Sequence, residues 1–202
     1  MTVLTTGSRS VLFKARAYNG KQKISVHRKN REGPARVRYC GIDPGLSGAV
    51  AFIRPDAAHP ANRLAVFDAP LVGGEFDGVA FAKLLAERLP DLVAIEHAFS
   101  RPGQGVASTF KFGKTFGQAL GVIQAMGIPY ELVSPTVWKK SFKISANSPK
   151  DASRLVCRRL YPAAEIPLKK HHGRADAILI AHYAWQRLNT AKKFETEVLC
   201  EV

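Results

Sequence analysis

At 202 residues the chain is long enough for one domain with a real core plus an extension. Its hydrophobic fraction is ordinary, but 30 Lys and Arg against 16 Asp and Glu leave a net charge of +14, which points to a polyanionic partner. No long uncharged apolar stretch occurs, and even the most apolar helix candidate, around 106–126, carries Lys111 and Lys114, so no membrane association is expected.

Residues 1–36 read as a basic N-terminal extension. No acidic residue precedes Glu32, while Arg9, Lys14, Arg16, Lys21, Lys23, Arg28, Lys29 and Arg31 are spread through it. It lacks the apolar run of a secretory signal. Three readings stay open: an arm that follows nucleic acid, a short hairpin of residues 10–13 and 23–26, or an organelle transit segment. The chain is expected in the cytoplasm, associated with the nucleoid, or in an organelle if this segment is a transit signal. Gly33-Pro34 marks a boundary.

From Val37 the pattern is α/β. Residues 37–43 and 48–54 read as a hairpin and 63–68 as a third strand. An amphipathic helix follows over 77–89, with Val79, Phe81, Ala82, Leu85 and Leu89 turned inward. Leu92-Val93-Ala94-Ile95 is short and continuously apolar, as a strand buried on both faces would be. A Gly/Ser/Pro loop over 98–107 leads into a helix of 108–126. There Gly113, Gly117 and Gly121 recur every four residues, at a cost in helix propensity that close backbone approach to the sheet or to a second subunit would offset. Phe110 and Phe116 of this helix read as core. Residues 130–133 form another strand, and Ser134-Pro135 then opens a helix. Ser148-Pro149 repeats that signal for a helix of 149–160. The last helix covers 173–189, with Ala177, Ala181, Ala184 and Leu188 as its inner stripe, and residues 191–202 form a tail. Cys40, Cys157 and Cys200 show no metal-ligand spacing and read as reduced structural thiols.

Three carboxylates stand at element ends. Asp43 closes the first strand before a Pro-Gly turn, Glu96 follows the buried 92–95 strand, and Asp176 lies in the first turn of the last helix, four residues after His172. Each has a plain reading: a turn former, a strand-end charge, a carboxylate favoured by a helix N-terminus. His172 could equally be a cap. Together they suit phosphodiester hydrolysis, which needs an activated water and neutralised phosphate charge. Two divalent ions about 3.5–4 Å apart supply both, and Mg²⁺ prefers hard carboxylate oxygens. If the strands of Asp43 and Glu96 are parallel neighbours, both acids emerge at one sheet edge.

At these residues the chain resembles the RuvC-type Holliday junction resolvases of the ribonuclease H-like superfamily, and within them the chloroplast branch. The likeness covers about residues 37–188. It rests on Gly41-Ile42-Asp43-Pro44-Gly45-Leu46-Ser47-Gly48-Ala49, Ile95-Glu96, Trp138-Lys139-Lys140-Ser141-Phe142-Lys143, residues 148–154, and His172-Gly173-Arg174-Ala175-Asp176-Ala177 with the apolar run after it. The resemblance implies a mixed five-stranded α/β sheet flanked by helices, over a nuclease domain of residues 37–190. It implies a homodimer that clasps a four-way DNA junction and makes two symmetric nicks with Mg²⁺, for which Mn²⁺ substitutes, two ions per site. Metal ligands would fall on Asp43, Glu96 and Asp176, and Phe99 matches a phenylalanine that helps open the junction centre. One departure stands out. Bacterial members carry Asp, or sometimes His, three residues before the last acid, where this chain has Gly173; His172 or His171 would then complete the site, contact phosphate or relay a proton.

Lys139, Lys140, Lys143 and Lys150, with Lys169, Lys170 and Arg174 around the last acid, suit phosphate contacts. Phe99 and Arg101 lie in the polar loop that would approach bases at the junction centre. Two other readings remain: a non-catalytic junction-binding module with an incomplete metal site, and half of an actin-like ATPase, whose second phosphate loop this chain lacks.

Overall fold

A computed structural model of the chain describes residues 37–55, 57, 63–97, 99, 103, 105–149 and 151–200, plus the backbone of Leu12–Phe13 and Ile24–Ser25; past residue 188 only backbone is described. Leu12–Phe13 (β1) and Ile24–Ser25 (β2) pair antiparallel. The central sheet is built from Tyr39–Asp43 (β3), Ala49–Ile53 (β4), Leu64–Asp68 (β5), Leu92–Glu96 (β8) and Tyr130–Val133 (β9), in the order β5-β4-β3-β8-β9. The hairpin β3–β4 and its neighbour β5 are antiparallel, and β8 and β9 add in parallel on the other side. The sheet is therefore mixed and five-stranded, as the resemblance implies, and β3 lies at its middle.

Strand alternation sorts the core into two layers. Cys40, Ile42, Val50, Phe52, Val93 and Ile95 face one way, onto Phe81 and Leu85 of α1 (Gly78–Arg88) and Ala119 and Ile123 of α2 (Val106–Ala125). Tyr39, Ala49, Ala51, Ile53, Leu92 and Ala94 face the other way, onto α5 (His172–Cys200), Trp138 of α3 (Pro135–Ser141) and Cys157 of α4 (Ala152–Leu160). The second layer is lined by small residues, and that lets α5 lie directly on β3. A Cβ at Gly41 would stand 2.1 Å from the Ala177 carbonyl oxygen. The expected inner stripe of α5 fits this contact: Ala177, Ala181 and Ala184 have no exposed surface.

Several local expectations need correction. On α1, Phe81 and Leu85 are buried, but Val79 and Leu89 are exposed. Val79 lies in the first turn beside the Asp77 cap, which accepts from the Val79 and Ala80 amides at 2.9 Å. Leu89 is already past the helix, in left-handed conformation. Phe110 is 72% exposed and is not core, although Phe116 is half-buried. The Gly113, Gly117 and Gly121 stripe does not meet the sheet: all three are exposed, with nothing within 4 Å of a Cβ built there. Close backbone approach occurs instead at Gly41, Gly48 and Gly173. Ser134 and Pro135 take the cap and first positions of α3 without a side-chain capping bond. Helix α4 starts later than expected, at Ala152, with Asp151 in the cap position and its carboxylate paired with Arg154 instead of capping the helix. The last helix runs on in backbone to Cys200. Two short strands, Leu71–Val72 (β6) and Glu75–Phe76 (β7), escape the sequence reading; they form a hairpin around Gly73 and Gly74, both at positive φ. Among the described residues no helix is long and apolar enough to cross a membrane.

Candidate active site

The register brings two of the carboxylates together. Ile42 pairs with Ile95 across the parallel β3–β8 ladder, so Asp43 and Glu96, one residue further on each strand, leave the sheet side by side. The third comes from α5, whose N-terminus ends against the β3–β4 turn. A Cβ at Gly173 would lie 2.4 Å from the Ser47 carbonyl oxygen, 2.8 Å from Gly48 Cα and 3.2 Å from Asp43 Oδ2. Gly173 is therefore not an empty ligand position. Its bare backbone fills the space beside Asp43, and that contact brings Asp176, one turn along, to the site.

The electrostatics record this convergence. Burial, then the charge of Asp176, pushes the Asp43 carboxyl up to about 6, against the Gly45 amide, which donates to Asp43 Oδ1 at 3.2 Å, and against Lys139. Burial and Asp43 push Glu96 up to about 7, opposed by a hydrogen bond from Trp138. Burial also raises Asp176, against a hydrogen bond from Ser153 and the charges of Lys139 and His172. Three acids thus crowd one partly dry region, and Lys139 acts on all of them.

Among the described residues no three His, Cys, Asp or Glu side chains already sit close enough to hold a metal ion. The donor set nevertheless fits one. Asp176 Oδ1 is buried without a hydrogen-bond partner, and an unsatisfied buried carboxylate oxygen is costly unless a cation or donor completes it. Asp43, Glu96 and Asp176 supply the hard oxygens that Mg²⁺ or Mn²⁺ takes.

The two histidines diverge. His172 is exposed and lies within electrostatic reach of Asp176. His171 ends a single 3-10 turn, Lys169–His171, where its Nδ1 accepts from the Leu168 amide at 3.4 Å. Burial lowers its pKa first, then the charges of Arg174 and Lys170. Of the basic residues, Lys140, Lys143, Lys169 and Lys170 are exposed. Arg174 is engaged within the chain: its guanidinium pairs with both oxygens of Asp68, at 2.6 and 2.7 Å, and donates to the Glu165 carbonyl, tying α5 to the end of β5. Phe99 is 56% exposed, its ring 4.0 Å from that of His97. Arg101 and Lys150 lie outside the described residues.

Two residues at the site escape the sequence reading. Trp138 stands in one of the family-like motifs, yet nothing local shows that its indole donates to Glu96 Oε2 at 2.7 Å. Ser153 reads only as part of a helix start, but it is buried and bonds Asp176. Both contacts join segments distant in sequence.

The chain is 31% identical over 155 residues to the crossover junction endodeoxyribonuclease RuvC of Gluconobacter oxydans (strain 621H), covering 72% of this chain and 89% of that protein. It is 29% identical over 179 residues to RuvC of Acidiphilium cryptum (strain JF-5), covering 79% and 97%. An 85-residue segment is 35% identical to the chloroplastic Holliday junction resolvase MOC1 of Chlamydomonas reinhardtii, covering 41% of this chain but 10% of that protein. Among solved structures, T. thermophilus RuvC in complex with Holliday junction substrate superposes with a TM-score of 0.58 at 21% identity, over 73% of this chain and 92% of that one, a likeness of fold. No protein-family model matches the chain. With the mixed sheet, the three converging acids and a RuvC relative matched over most of its length, the chain belongs to the RuvC family of crossover junction endodeoxyribonucleases.

Proposed function

We propose that the chain is a metal-dependent, structure-selective DNA endonuclease that resolves four-way junctions by paired symmetric hydrolysis of phosphodiesters, in recombination and repair. The observation that carries this reading is the convergence of Asp43, Glu96 and Asp176 from β3, β8 and α5, with one buried Asp176 oxygen left without a partner. Two divalent ions, Mg²⁺ with Mn²⁺ as substitute, held by these three acids would supply an activated water and neutralise charge on the scissile phosphate.

The chain's own residues do the rest. Lys139, which acts on all three acids, balances their charge and offers an ammonium to the phosphate. Exposed His172, beside Asp176, would touch phosphate or carry a proton to the leaving oxygen. Lys140, Lys143, Lys169 and Lys170, with Lys150 and Arg101, track the backbone of the arms. Arg174 joins them by exchanging Asp68 for a phosphate. Phe99 stacks on a base unpaired at the junction centre.

Paired nicks need two sites, and a homodimer supplies them. The outer face of α2 supports this: Val106 and Phe110 are exposed, and the glycine stripe beside them is open within the chain. A second copy laid there would offset the helix propensity those glycines cost. The non-catalytic reading is not favoured, since all three acids are present and the matched relatives are named endonucleases. For residues 1–36, import of that segment fused to a reporter separates an organelle transit signal from an arm that works on DNA in the cytoplasm.

The reading is tested with Asp43→Asn on a synthetic junction. Cleavage falls by about 10²-fold or more, while the junction is still bound in a gel-shift assay. Nicking at the wild-type rate would overturn the assignment of Asp43.

A further inference from the structure

Among the described residues Trp138 is the bulkiest side chain with no exposed surface, and it is buried against the site rather than away from it. Its place follows from the topology. Glu96 pairs with Val133 across the parallel β8–β9 ladder, and His97 N–H bonds the Val133 carbonyl. Helix α3 begins two residues later, so its first full turn swings Trp138 back over the end of β8. There Nε1–H donates to Glu96 Oε2 at 2.7 Å. The ring also lies under Lys139, whose Nζ is 5.1 Å from its centroid, and edge-on to Phe142.

An indole is a donor only. Buried as it is, it needs an acceptor, and Glu96 Oε2 is the one it has. The bond therefore holds one oxygen of Glu96 and leaves Oε1 as the other oxygen of the carboxylate. We propose that Trp138 is the positioning residue of the metal site: it fixes the carboxylate of Glu96 through Oε2 and leaves Oε1 for the ion that the acids would hold, and its ring face seats the Lys139 ammonium. The proposal rests on the reading of Glu96 as a metal ligand. Groups that hold a ligand from behind commonly matter about 10–100-fold in metal affinity.

The test uses the full chain and Mn²⁺ alone, with binding read by calorimetry or electron spin resonance. Trp138→Phe keeps an aromatic filler and removes the N–H. It is expected to bind Mn²⁺ about 10–100-fold more weakly than wild type while keeping its circular dichroism. Equal Mn²⁺ affinity in a folded Trp138→Phe chain overturns the proposal and leaves the metal reading standing. Wild type that binds no Mn²⁺ overturns both. A second measurement does not depend on that variant folding. The chain has two tryptophans, Trp138 and Trp185, and hence two indole N–H resonances. Mg²⁺ and, separately, Glu96→Ala should each move the Trp138 resonance, and Glu96→Ala should speed its hydrogen exchange, with Trp185 little changed. A Trp138 resonance indifferent to both overturns the proposal.

Discussion

Asp43, Glu96 and Asp176 are legible in the sequence because each is a carboxylate at an element end, where turn or helix-start chemistry marks the position. Their partners are not legible. Ser153 meets Asp176 and Trp138 meets Glu96 only after separate segments fold together, and no local periodicity encodes such contacts. Phe99 is legible for the opposite reason: an aromatic in a polar loop has no core to enter, and it stays exposed. Stacking on a base contributes about 1–3 kcal/mol, so Phe99→Ala should slow single-turnover cleavage roughly 10-fold while junction affinity changes less; an unchanged rate removes the stacking role. Lys139→Ala/Lys140→Ala should flatten the dependence of log affinity on log salt by about 0.9 for each phosphate the variant no longer neutralises. An unaltered slope takes both lysines out of the interface.

Helix α5 meets the site through Gly173, whose backbone touches the turn after Asp43. From sequence alone this glycine reads as a missing acid. Folded, it is a steric requirement. Gly173→Asp, which puts there the acid that the resemblance implies for bacterial members, should therefore reduce cleavage, by about 10²-fold if Asp176 is displaced by even an ångström; increased cleavage would make the position a true ligand site. On α2 the glycines behave differently, with open space around each. Gly117→Arg should leave the fold intact, yet give a monomer in sedimentation and nicks that are no longer paired. A stable dimer in that variant would place the interface elsewhere. The five strands of the central sheet are readable because apolar runs and turn signals are strong between residues 37 and 133, whereas their order rests on pairings between distant segments that no local pattern encodes. The β6–β7 hairpin is not, since two-residue strands carry no alternation, although Gly73-Gly74 is a turn signal. Phe110 misleads because periodicity finds an apolar face without saying whether the sheet or another surface covers it.

For the molecule as a whole, the acid cluster is a site of low intrinsic stability until its charge is balanced. Asp43 and Glu96 ionise at about 6 and about 7, above their ordinary values, because they are buried among other acids. Between the ordinary and the folded values the folded chain holds protons that the unfolded chain has released. Their contribution is fully present below the ordinary values and is lost as pH rises through about 7, on the order of 3 kcal/mol for Asp43 alone. Buried His182, lowered to about 4 by desolvation, acts in the opposite sense below pH 6.5. The comparison is therefore between chains. In EDTA, Asp43→Asn/Glu96→Gln should melt above wild type by roughly 5–10 °C at pH 8 and by clearly less at pH 5, and Mn²⁺ should raise the wild-type Tm at pH 8 but not that of the double variant. A constant gap across pH would show that these acids are not raised above their ordinary values in the folded chain. The most direct test is cleavage of a four-way junction labelled on all strands, with Mg²⁺ or Mn²⁺ and with EDTA. Metal-dependent nicks, symmetric about the crossover on two opposing strands, are the expected result. Intact strands in metal, or nicks scattered equally over linear duplex, would contradict it.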